Sequence, residues 1–340
     1  MNARLLRDDE RRPDWHFAVE EAVLRSVDSG ESPETLRIRR SDPAVWIGLY
    51  QRPSEDVDIA AAESIGVPVM RRNNPGGAVY QDPGTLCYTC FFHKKPFFQR
   101  FGLSDVTELY ALFGNAAIGA LARFGVHAVL SPVNDVTIEG RKVYGSAQIE
   151  HYGTIAHSGT FLISCDIDRM DSLLRPSALK YAGRGISTVR DRVINLSEAV
   201  GRTVPVDELA TALVQELKTA TGFAFSEAGL LEYERRRAQE LWSAKYGTRA
   251  WTYRDEPRSS HVRARRAASG VVILEASMDG ALLSRVDIRG DFLVADAAAL
   301  DRCIASLRGL TSAQAQDIVK AAPLPVDVAH AIVQVLQELP

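Results

Sequence analysis

Asn134-Asp-Val-Thr-Ile-Glu-Gly-Arg-Lys-Val-Tyr-Gly-Ser-Ala-Gln148 is the stretch of sequence that decides the fold. Apolar and polar residues alternate on both sides of Gly140-Arg141, a pattern typical of two strands joined by a tight turn. Residues 154–166 alternate in the same way and predict a further strand. The centre of the chain is therefore expected to contribute several strands to one sheet.

Helices and strands are expected to alternate around this centre. Trp15, Ala18, Val19, Ala22 and Val23 recur at helical spacing and predict an amphipathic first helix. Further strands are predicted at residues 36–40, 44–50, 67–72 and 84–92, and helices at residues 109–124, 206–221 (with Asp207 as its start) and 226–246.

A polar segment at residues 255–260 interrupts the periodicity and predicts a domain boundary. Beyond it, residues 271–277 and 282–288 predict a hairpin around Asp279-Gly280, followed by two or three short helices. We expect an α+β protein with a large mixed-sheet domain at residues 1–254 and a small α+β domain at residues 261–340.

Composition excludes several classes of protein. Among 340 residues, 46% are hydrophobic and 24% are charged, with a formal net charge of -3, so nothing global indicates a nucleic-acid partner. The basic runs at residues 235–237 and 263–266 are interpreted as solvated surface. No apolar run reaches membrane-spanning length and the first residues lack a secretory h-region, so we expect a cytoplasmic protein.

Four cysteines fit the same reducing compartment. Cys87 and Cys90 form a C-x-x-C pair, which can indicate zinc or redox chemistry. They fall in a predicted strand, where residues three apart face opposite sides of the sheet. We therefore interpret them as buried structural thiols.

A glycine-rich segment, residues 71–82, reads Arg-Arg-Asn-Asn-Pro-Gly-Gly-Ala-Val-Tyr-Gln-Asp. Adjacent glycines let a backbone approach a ligand and present N–H groups to phosphate oxygens, and the arginines before them can neutralise phosphate charge. The segment matches neither a Walker A loop nor the dinucleotide fingerprint. Taken alone, Pro-Gly-Gly is explained equally well by a simple turn.

Lys142 is the second candidate. It lies in an apolar strand beside the small residues Gly145, Ser146 and Ala147, which leave room for a ligand. Asp135 precedes it across a turn and could hold a magnesium ion. A surface lysine explains the pattern about as well as a catalytic one does.

Taken together, these motifs resemble the lipoate–protein ligase A family of the biotin/lipoate ligase superfamily. The resemblance covers nearly the whole chain and includes the first helix, the Arg-Arg…Gly-Gly-Ala-Val loop, Asn134-Asp135, Gly-Arg-Lys-Val-x-Gly-Ser-Ala and the segments at residues 157–162 and 185–196. It implies the superfamily's catalytic fold with an accessory domain. It also implies activation of lipoate by ATP to lipoyl-AMP, followed by transfer to a lysine of a lipoyl carrier protein.

The resemblance assigns roles by position, with Lys142 touching both the carboxyl oxygen and the α-phosphate. The implied carrier is a 2-oxoacid dehydrogenase subunit, a glycine-cleavage carrier or a dedicated lipoyl-binding protein. The sequence leaves the oligomeric state open, with a monomer preferred. The implied ATP-binding residues are Arg72, Gly77, Ala78, Val79, Tyr80, Asn134, Asp135 and Lys142; the implied lipoyl-binding residues are Gly76, Gly77, Lys142, Gly145, Ser146, Ala147, His157 and Gly159; and Asp135 is the implied Mg²⁺ ligand.

Three departures from the family pattern bear on substrate. Asn73-Asn-Pro-Gly-Gly replaces the usual Ser-Ser-Gly-Gly-Gly, Gln81 replaces a histidine, and Ser158 replaces the second histidine of His-His-Gly-Thr. Pro75 also removes one backbone N–H donor from the loop. These changes leave the acyl chain open between lipoate, octanoate and a related acid.

Three alternative functions remain to be weighed. An octanoyl- or lipoyltransferase of the superfamily would need a nucleophilic cysteine, and Cys165, which follows the lysine motif in an apolar run, is the candidate. A non-catalytic binder of lipoylated carriers would not need Lys142 or Asn134-Asp135. A biotin ligase would carry a Gly-Arg-Gly-Arg type of loop in place of Pro-Gly-Gly-Ala-Val.

Overall fold

The structure, a computed structural model, describes residues 2–176, 188–254 and 259–340. The strands are β1 (Asn2–Asp8), β2 (Thr35–Arg39), β3 (Ala44–Ile47), β4 (Val69–Arg71), β5 (Val79–Gln81), β6 (Thr85–His93), β7 (Val129–Ser131), β8 (Asp135–Ile138), β9 (Arg141–His151), β10 (Thr154–Leu162), β11 (Ala224–Glu227), β12 (His261–Ala267), β13 (Gly270–Asp279) and β14 (Leu282–Gly290).

Helices connect and cover these strands, and one π-helical turn, Trp242–Tyr246, follows α10. The α-helices are α1 (His16–Asp28), α2 (Pro53–Asp56), α3 (Ile59–Ser64), α4 (Lys94–Phe101), α5 (Glu108–Ala122), α6 (Ile167–Leu173), α7 (Val189–Arg192), α8 (Leu196–Val200), α9 (Val206–Thr221), α10 (Glu232–Leu241), α11 (Arg249–Tyr253), α12 (Ala297–Ser306), α13 (Ser312–Ala321) and α14 (Val326–Leu336). In the described part of the chain, no helix has the length and apolar character needed to cross a membrane.

The main sheet orders its strands β11-β1-β2-β6-β10-β9-β8-β7. β1 runs parallel to β2 and β11, and the other neighbours are antiparallel. Helices α5 and α9 cover one face, where Phe113 and Leu213 join the same hydrophobic core. Helices α1 and α10 cover the other face, where Ala18 and Ala238 pack in a second core. This layered arrangement confirms the predicted α+β fold with a large mixed sheet.

The predicted hairpin is confirmed, but its turn lies at Glu139-Gly140, one residue earlier than predicted, and Arg141 already belongs to β9. β8 and β9 pair antiparallel on either side of the turn. Glu139 and Gly140 have positive φ angles of 51° and 77°, as a tight two-residue hairpin turn requires. β9 then continues to His151 and pairs with β10 along almost its whole length, so the strand is longer than the sequence pattern predicts.

A small three-stranded sheet, β4-β3-β5, carries the glycine-rich loop. β3 pairs with β4 in parallel and with β5 antiparallel. Val45 and Ile47 of β3 and Tyr80 of β5 are buried in one core. The loop between β4 and β5 is therefore anchored at both ends on packed strands.

The C-terminal unit has its own sheet, β12-β13-β14, and its own hydrophobic core. β13 ends at Asp279, and Gly280 adopts a φ of +57° at the turn, so the predicted hairpin is confirmed. Helices α12, α13 and α14 pack on the sheet through residues such as Leu300, Val319 and Ile332. The expectation of two or three short helices after the hairpin is confirmed.

The sequence analysis misses β12. It interprets residues 263–266 only as a solvated basic run, whereas they form the middle of a strand that pairs with β13 at seven positions. Arg263 and Arg265 are ion-paired with Glu338, and Arg266 reaches the cavity described below. Hairpin pairing with the apolar strand β13, which follows after a two-residue turn, specifies this strand rather than an apolar pattern of its own.

The helix predicted at residues 226–246 begins later than expected. Residues 224–227 form β11, which pairs with β1, and α10 follows it. α9 spans Val206–Thr221 as predicted, but Pro205 is its N-cap. Asp207 lies in the first turn, where a negative charge favours the helix dipole.

The four cysteines are free and buried, which confirms the interpretation of Cys87 and Cys90 as buried thiols. Cys87 packs in the core beneath α1, whereas Cys90 packs in the core beneath α5. The two thiols of the C-x-x-C pair therefore face opposite sides of β6, and this pair offers no joint metal site.

Candidate active site

A cavity of about 260 Å³ opens on the α1 face of the main sheet. The glycine-rich loop, strands β8 to β10 and the start of β13 supply its walls. The two segments singled out in the sequence, residues 71–82 and 134–148, therefore meet in one place. The sequence-predicted residues that line the cavity are Arg72, Gly76, Gly77, Ala78, Val79, Tyr80, Asn134, Asp135, Lys142, Gly145, Ser146 and Ala147.

The buried guanidinium of Arg72 holds the glycine-rich loop. Nη1 donates to the carbonyl oxygen of Trp46 at 2.9 Å, and Nη2 donates to the carbonyl oxygens of Pro75 and Gly77 at 3.1 and 2.8 Å. Burial lowers the pKa of Arg72 to about 10, which leaves it charged at neutral pH. The guanidinium of Arg72 therefore faces backbone carbonyls, and its hydrogen bonds fix the shape of the loop.

Arg71 also binds backbone carbonyls. Its guanidinium donates to those of residues 48, 49, 51, 251 and 252 at 2.6 to 3.3 Å. The side chain points away from the cavity and ties the base of the loop to α11. The expectation that both arginines face phosphate is therefore wrong for Arg71, because adjacent strand residues point to opposite sides.

The loop packs closely against the end of β3. A Cβ atom at Gly48 would overlap the carbonyl oxygen of Gly76, and Gly76 itself has a φ of +102°. The amide of Leu49 donates to the carbonyl oxygen of Asn74 at 3.0 Å. Only glycine fits at Gly48 and only glycine is unstrained at Gly76, so this close approach sets how the loop backbone faces the cavity.

Lys142 lies on β9 and forms a charged cluster with Asp135 and Arg192. Its Nζ is 2.6 Å from Oδ1 of Asp135, and Nη2 of Arg192 is 3.3 Å from Oδ2. The side chains of Lys142, Asp135 and Arg192 are 25%, 15% and 22% exposed, so a molecule in the cavity can contact them. The backbone carbonyl of Lys142 accepts from Ile194 at 2.9 Å, which fixes the strand. Among the described residues, two cations face one carboxylate, which gives these three side chains a net positive charge.

Small residues beside the cluster make room for it. A Cβ atom at Gly145 would overlap Nζ of Lys142 and would lie 3.1 Å from Oδ1 of Asp135. The side-chain amide of Asn134 donates to the carbonyl oxygen of Ser146, and the amide of Ser146 donates back to Asn134 at 2.9 Å. Asn134 therefore fastens the β7–β8 turn to β9, and this turn positions Asp135.

His157 and Gly159 do not line the cavity, because they lie on the opposite face of β10. The ring of His157 stacks on Phe113 of α5 with 4.1 Å between ring centroids. Burial lowers the pKa of His157 to about 3, so the imidazole is neutral. Side chains alternate along a strand, so these two residues, which the resemblance assigns to the acyl site, face away from the cavity. The cavity-facing positions of β10 are Ser158, Thr160 and Leu162.

Across the sheet from Lys142 the cavity has a polar end that the sequence analysis misses. Glu20 of α1 accepts from Thr89 and Ser158 at 2.7 and 3.0 Å and pairs with Arg39 at 2.9 Å. Gln81, Trp46 and Thr160 complete this end. The sequence does carry a signal for this polar end. Arginines lie at alternate positions of β2, and Glu20-Glu21 interrupts the apolar residues of α1; in the structure all of these residues are buried.

The C-terminal unit closes one side of the cavity with residues 266–271, Asp291 and Leu293. Glu275 accepts from Arg52 at 3.0 Å and from Arg289 at 2.8 Å, and Arg289 also reaches Glu55 at 2.6 Å. These four residues form an ion cluster across the contact between the two units. The cavity therefore depends on both parts of the chain.

Comparison with known proteins assigns the family. A model of the lipoyl protein ligase A/B catalytic domain matches residues 12–218. The chain belongs to this family. The match contains α1, the glycine-rich loop and the Lys142 cluster, so most walls of the cavity lie within the family's catalytic domain.

Relatives in the lipoyl protein ligase family match most of the chain. Lipoate-protein ligase LplJ of Bacillus subtilis is 27% identical over 281 residues, which cover 82% of each chain. Lipoate–protein ligase 1 of Staphylococcus aureus is 28% identical over 281 residues, again 82% of each chain. The similarity therefore extends beyond the catalytic-domain match at residues 12–218.

Solved structures show the same fold. The bipartite lipoate protein ligase of Thermoplasma acidophilum, studied with its E2 lipoyl domain, is 27% identical with a TM-score of 0.66, over 77% of this chain and all of that one. A lipoate-protein ligase A bound with ATP is 26% identical with a TM-score of 0.65, over 74% of this chain and 99% of that one. LipL1 of P. falciparum, 18% identical with a TM-score of 0.79, shares the fold over 99% of this chain and all of its own.

Proposed function

We propose that this chain is an ATP-dependent lipoate–protein ligase. The carboxylate of the acid attacks the α-phosphorus of ATP, which forms an acyl-adenylate and releases pyrophosphate. The ε-amine of a carrier lysine then attacks the acyl carbon, which forms the amide and releases AMP. The observation that carries this proposal is the position of Lys142 and Arg192 around Asp135, in a cavity that the glycine-rich loop also lines.

Electrostatics supports this assignment. A carboxylate and a triphosphate repel each other, so their reaction needs positive charge fixed between them before the substrates arrive. We assign that role to Lys142, whose Nζ would contact the carboxyl oxygen and an α-phosphate oxygen. Arg192 adds a second cation 3.3 Å from the same carboxylate. Asp135 keeps both cations in place by accepting from each.

The glycine-rich loop is assigned to the nucleotide. The backbone of Gly77, Ala78, Val79 and Tyr80 lines the cavity and would hold ATP, while Arg72 acts on the nucleotide through the loop that it braces. Asn134 positions the opposite wall. The residues assigned to the acid beside Lys142 are Gly76, Gly77, Gly145, Ser146 and Ala147.

A resident Mg²⁺ ion fits this arrangement poorly. Both carboxylate oxygens of Asp135 are engaged by cations, and the described residues contain no group of three acidic, histidine or cysteine side chains that could hold a metal. Mg²⁺ commonly binds through one or two carboxylates together with substrate phosphates. We therefore propose that Mg²⁺ enters with ATP, with Asp135 as the nearest carboxylate.

We propose a lipoyl carrier domain as the acceptor of the acyl group. The Thermoplasma acidophilum relative was studied with its E2 lipoyl domain. The carrier of this chain could equally be a glycine-cleavage carrier or a dedicated lipoyl-binding protein. We propose that the enzyme acts as a cytoplasmic monomer.

We keep the division into residues 1–254 and 261–340 as a proposal. The two units have separate hydrophobic cores, which supports it. The segment proposed as a hinge between adenylation and transfer, residues 255–260, lies outside the described residues except for Ser259 and Ser260.

Acid-dependent release of pyrophosphate from ATP tests the first step directly. We expect release with lipoate or a related acid, and mass spectrometry is expected to show an acylated lysine on an added carrier. Properly folded protein that releases no pyrophosphate with any such acid would favour a non-catalytic binder.

Cys165→Ser distinguishes the ligase from a thioester-forming transferase. Cys165 is buried, it does not line the cavity, and burial raises the pKa of its thiol, so it is a poor nucleophile. We expect the variant to keep acyl transfer within about twofold, since a buried Cys→Ser change acts mainly on stability. Loss of transfer with an unchanged circular dichroism spectrum would favour the transferase.

A further inference from the structure

One row of paired residues across the main sheet connects Lys142 with the polar end of the cavity. Gly145, which lies beneath Nζ of Lys142, pairs with Thr160; Thr160 pairs with Cys87; and Cys87 pairs with Arg39. Three inter-strand spacings separate the ends of this row, roughly 14 Å. An acid whose carboxylate meets Lys142 would extend along this row, and its distal end would approach Arg39.

Three donors at this end have no partner among the described residues. They are Nε of Arg39, Nε1 of Trp46 and Nε2 of Gln81. Their residues line the cavity, and each is at most 4% exposed. A buried donor left unpaired costs about 1–3 kcal/mol, so three together at one place indicate a missing acceptor.

Neighbouring groups orient these donors. The side-chain oxygen of Gln81 accepts from Thr85 at 2.7 Å and from the Cys87 thiol at 3.3 Å, which leaves the amide nitrogen as the group without a partner. Arg39 uses Nη1 for Thr89 at 3.0 Å and Nη2 for Glu20 at 2.9 Å, which leaves Nε. The unpaired groups of these three side chains are all N–H donors; Oδ1 of Asn74 and the hydroxyl of Tyr80, which also line the cavity without a partner among the described residues, belong to the glycine-rich segment.

Charge at this end is already balanced. Arg37 pairs with Asp8 at 2.5 Å and with Glu20 at 3.2 Å, and Arg39 pairs with Glu20. Among the described residues these two cations face two carboxylates, and the nearby guanidinium of Arg72 is engaged by three backbone carbonyls. A second negative charge on the ligand would therefore lack a free counter-ion. The missing acceptor is therefore uncharged.

We propose that the cavity selects a carboxylic acid whose distal end carries an uncharged hydrogen-bond acceptor, such as a keto or amide oxygen, in preference to a purely hydrocarbon tail. This inference rests on the proposed function and narrows its substrate class. The disulfide sulfurs of lipoate are only weak hydrogen-bond acceptors, as sulfur is in protein side chains, so lipoate ranks between a keto acid and a simple fatty acid. The expected order of preference is 7-oxooctanoate, then lipoate, then octanoate.

Steady-state pyrophosphate release with these three acids tests the order. We expect kcat/KM for 7-oxooctanoate to exceed that for octanoate by about tenfold or more, because the hydrocarbon tail leaves the donors unpaired. The difference should lie mainly in KM, since the distal group is far from the reacting atoms. A ratio near one would mean that water satisfies the donors, and it would overturn the inference.

Two variants locate the effect. Gln81→Met removes the amide at similar length, and Trp46→Phe removes a single N–H; each is expected to lower the ratio at least threefold. Gln215→Met, at an exposed position of α9, is the matched control and should keep the ratio of the natural chain. If the ratio of kcat/KM for the two acids is unchanged in both cavity variants, the inference is contradicted. If one of the two variants does not fold, the other still provides the test.

Binding without turnover separates this inference from the proposed function. If none of the acids triggers pyrophosphate release, the ligase assignment fails. Equilibrium dissociation constants of the acids, measured without ATP, then still decide the selectivity. Tighter binding of the keto acid supports the inference, and equal or weaker binding overturns it.

Discussion

Lys142 is the residue on which the adenylation chemistry depends most directly. Its Nζ lies over Gly145, where no side chain competes for the space, and Asp135 holds it at 2.6 Å. We expect Lys142→Ala to reduce acid-dependent pyrophosphate release by about 10³-fold or more, since preorganised charge at the reacting phosphate is lost. The measurement is pyrophosphate release at saturating ATP.

Lys95→Ala is the matched control, because Lys95 is an exposed lysine at the start of α4. Its activity should equal that of the natural chain. Substantial pyrophosphate release by Lys142→Ala, with the circular dichroism spectrum unchanged, would contradict the assignment.

His157 makes a prediction about pH. In the folded chain burial lowers its pKa to about 3, whereas an unfolded histidine titrates near 6.5. The unfolded state therefore takes up a proton below pH 6.5 that the folded state refuses, and stability falls as the pH drops from 6.5 toward 3. His157→Gln removes this term, so its stability should fall less between pH 7 and pH 4, by roughly 3 kcal/mol.

Urea denaturation of both chains at the two pH values measures the difference. His16, whose pKa burial also lowers, is present in both chains and cancels. Equal losses of stability in the two chains would show that His157 is not held neutral in the fold.

At the residue scale the sequence singles out Lys142, Asp135 and their small neighbours, which are close in the chain, but it misses Arg192, which joins the cluster from α7. It assigns His157 and Gly159 to the wrong face of β10, since a shift of one residue along a strand reverses the side. It misses Arg39 and Glu20, which meet only after β2 and α1 pack together.

At the scale of elements, local patterns identify most of the helices and strands. α9 is predicted to the residue, because its apolar face repeats over sixteen residues. β11 and β12 are missed for different reasons. β11 is short and mostly exposed and is held only by β1, and β12 is rich in arginine. β11 is defined by a partner distant in the chain, and β12 by hairpin pairing with β13, which its own charged sequence does not indicate.

The contact between β3 and the glycine-rich loop makes a second prediction about catalysis. Gly48→Ala would place a methyl group against the carbonyl oxygen of Gly76 and push the loop away. We expect a rise of at least tenfold in KM for ATP and a loss of about 1–3 kcal/mol in the free energy of unfolding. Steady-state kinetics and urea denaturation measure the two effects.

Gly229→Ala is the control for Gly48→Ala. Gly229 has no positive φ, and an added Cβ would meet nothing within 4 Å. This variant should behave like the natural chain. If Gly48→Ala also behaves so, the loop tolerates displacement and its backbone does not set the affinity for ATP.

At the scale of the whole molecule, the ion cluster of Arg52, Glu55, Glu275 and Arg289 joins the two units. Burial alone would raise the pKa of Glu275, but hydrogen bonds from Arg52 and Arg289 outweigh it, and the net pKa is lowered. The contribution of the Glu275 carboxylate to docking is therefore fully present above pH 4.5, the ordinary pKa of a glutamate. It is lost as the pH falls through the lowered pKa.

Glu275→Gln tests the cluster at neutral pH. It leaves both arginines without their shared carboxylate, so the C-terminal unit should separate more often from the main sheet. The amide of Gly290 donates to the carbonyl oxygen of Tyr50 across the contact at 3.0 Å. We expect its hydrogen exchange to accelerate about tenfold or more, as measured by mass spectrometry or NMR.

Glu338→Gln is the control within the same unit, because Glu338 pairs only with partly exposed arginines of β12 among the residues described. Exchange at Gly290 should not change in this variant. Equal exchange in both variants would show that the ion cluster does not hold the two units together.

The parallel pairing of β1 with β11 has a consequence for synthesis on the ribosome. Residues 2–5 pair with residues 224–227, and Arg4 is buried against Glu234 at 2.6 Å. During translation β1 must therefore wait for more than two hundred further residues before β11 covers this edge. A nascent or truncated chain that ends before β11 exposes a free strand edge and an arginine without its carboxylate, which makes it a target for aggregation and for chaperones.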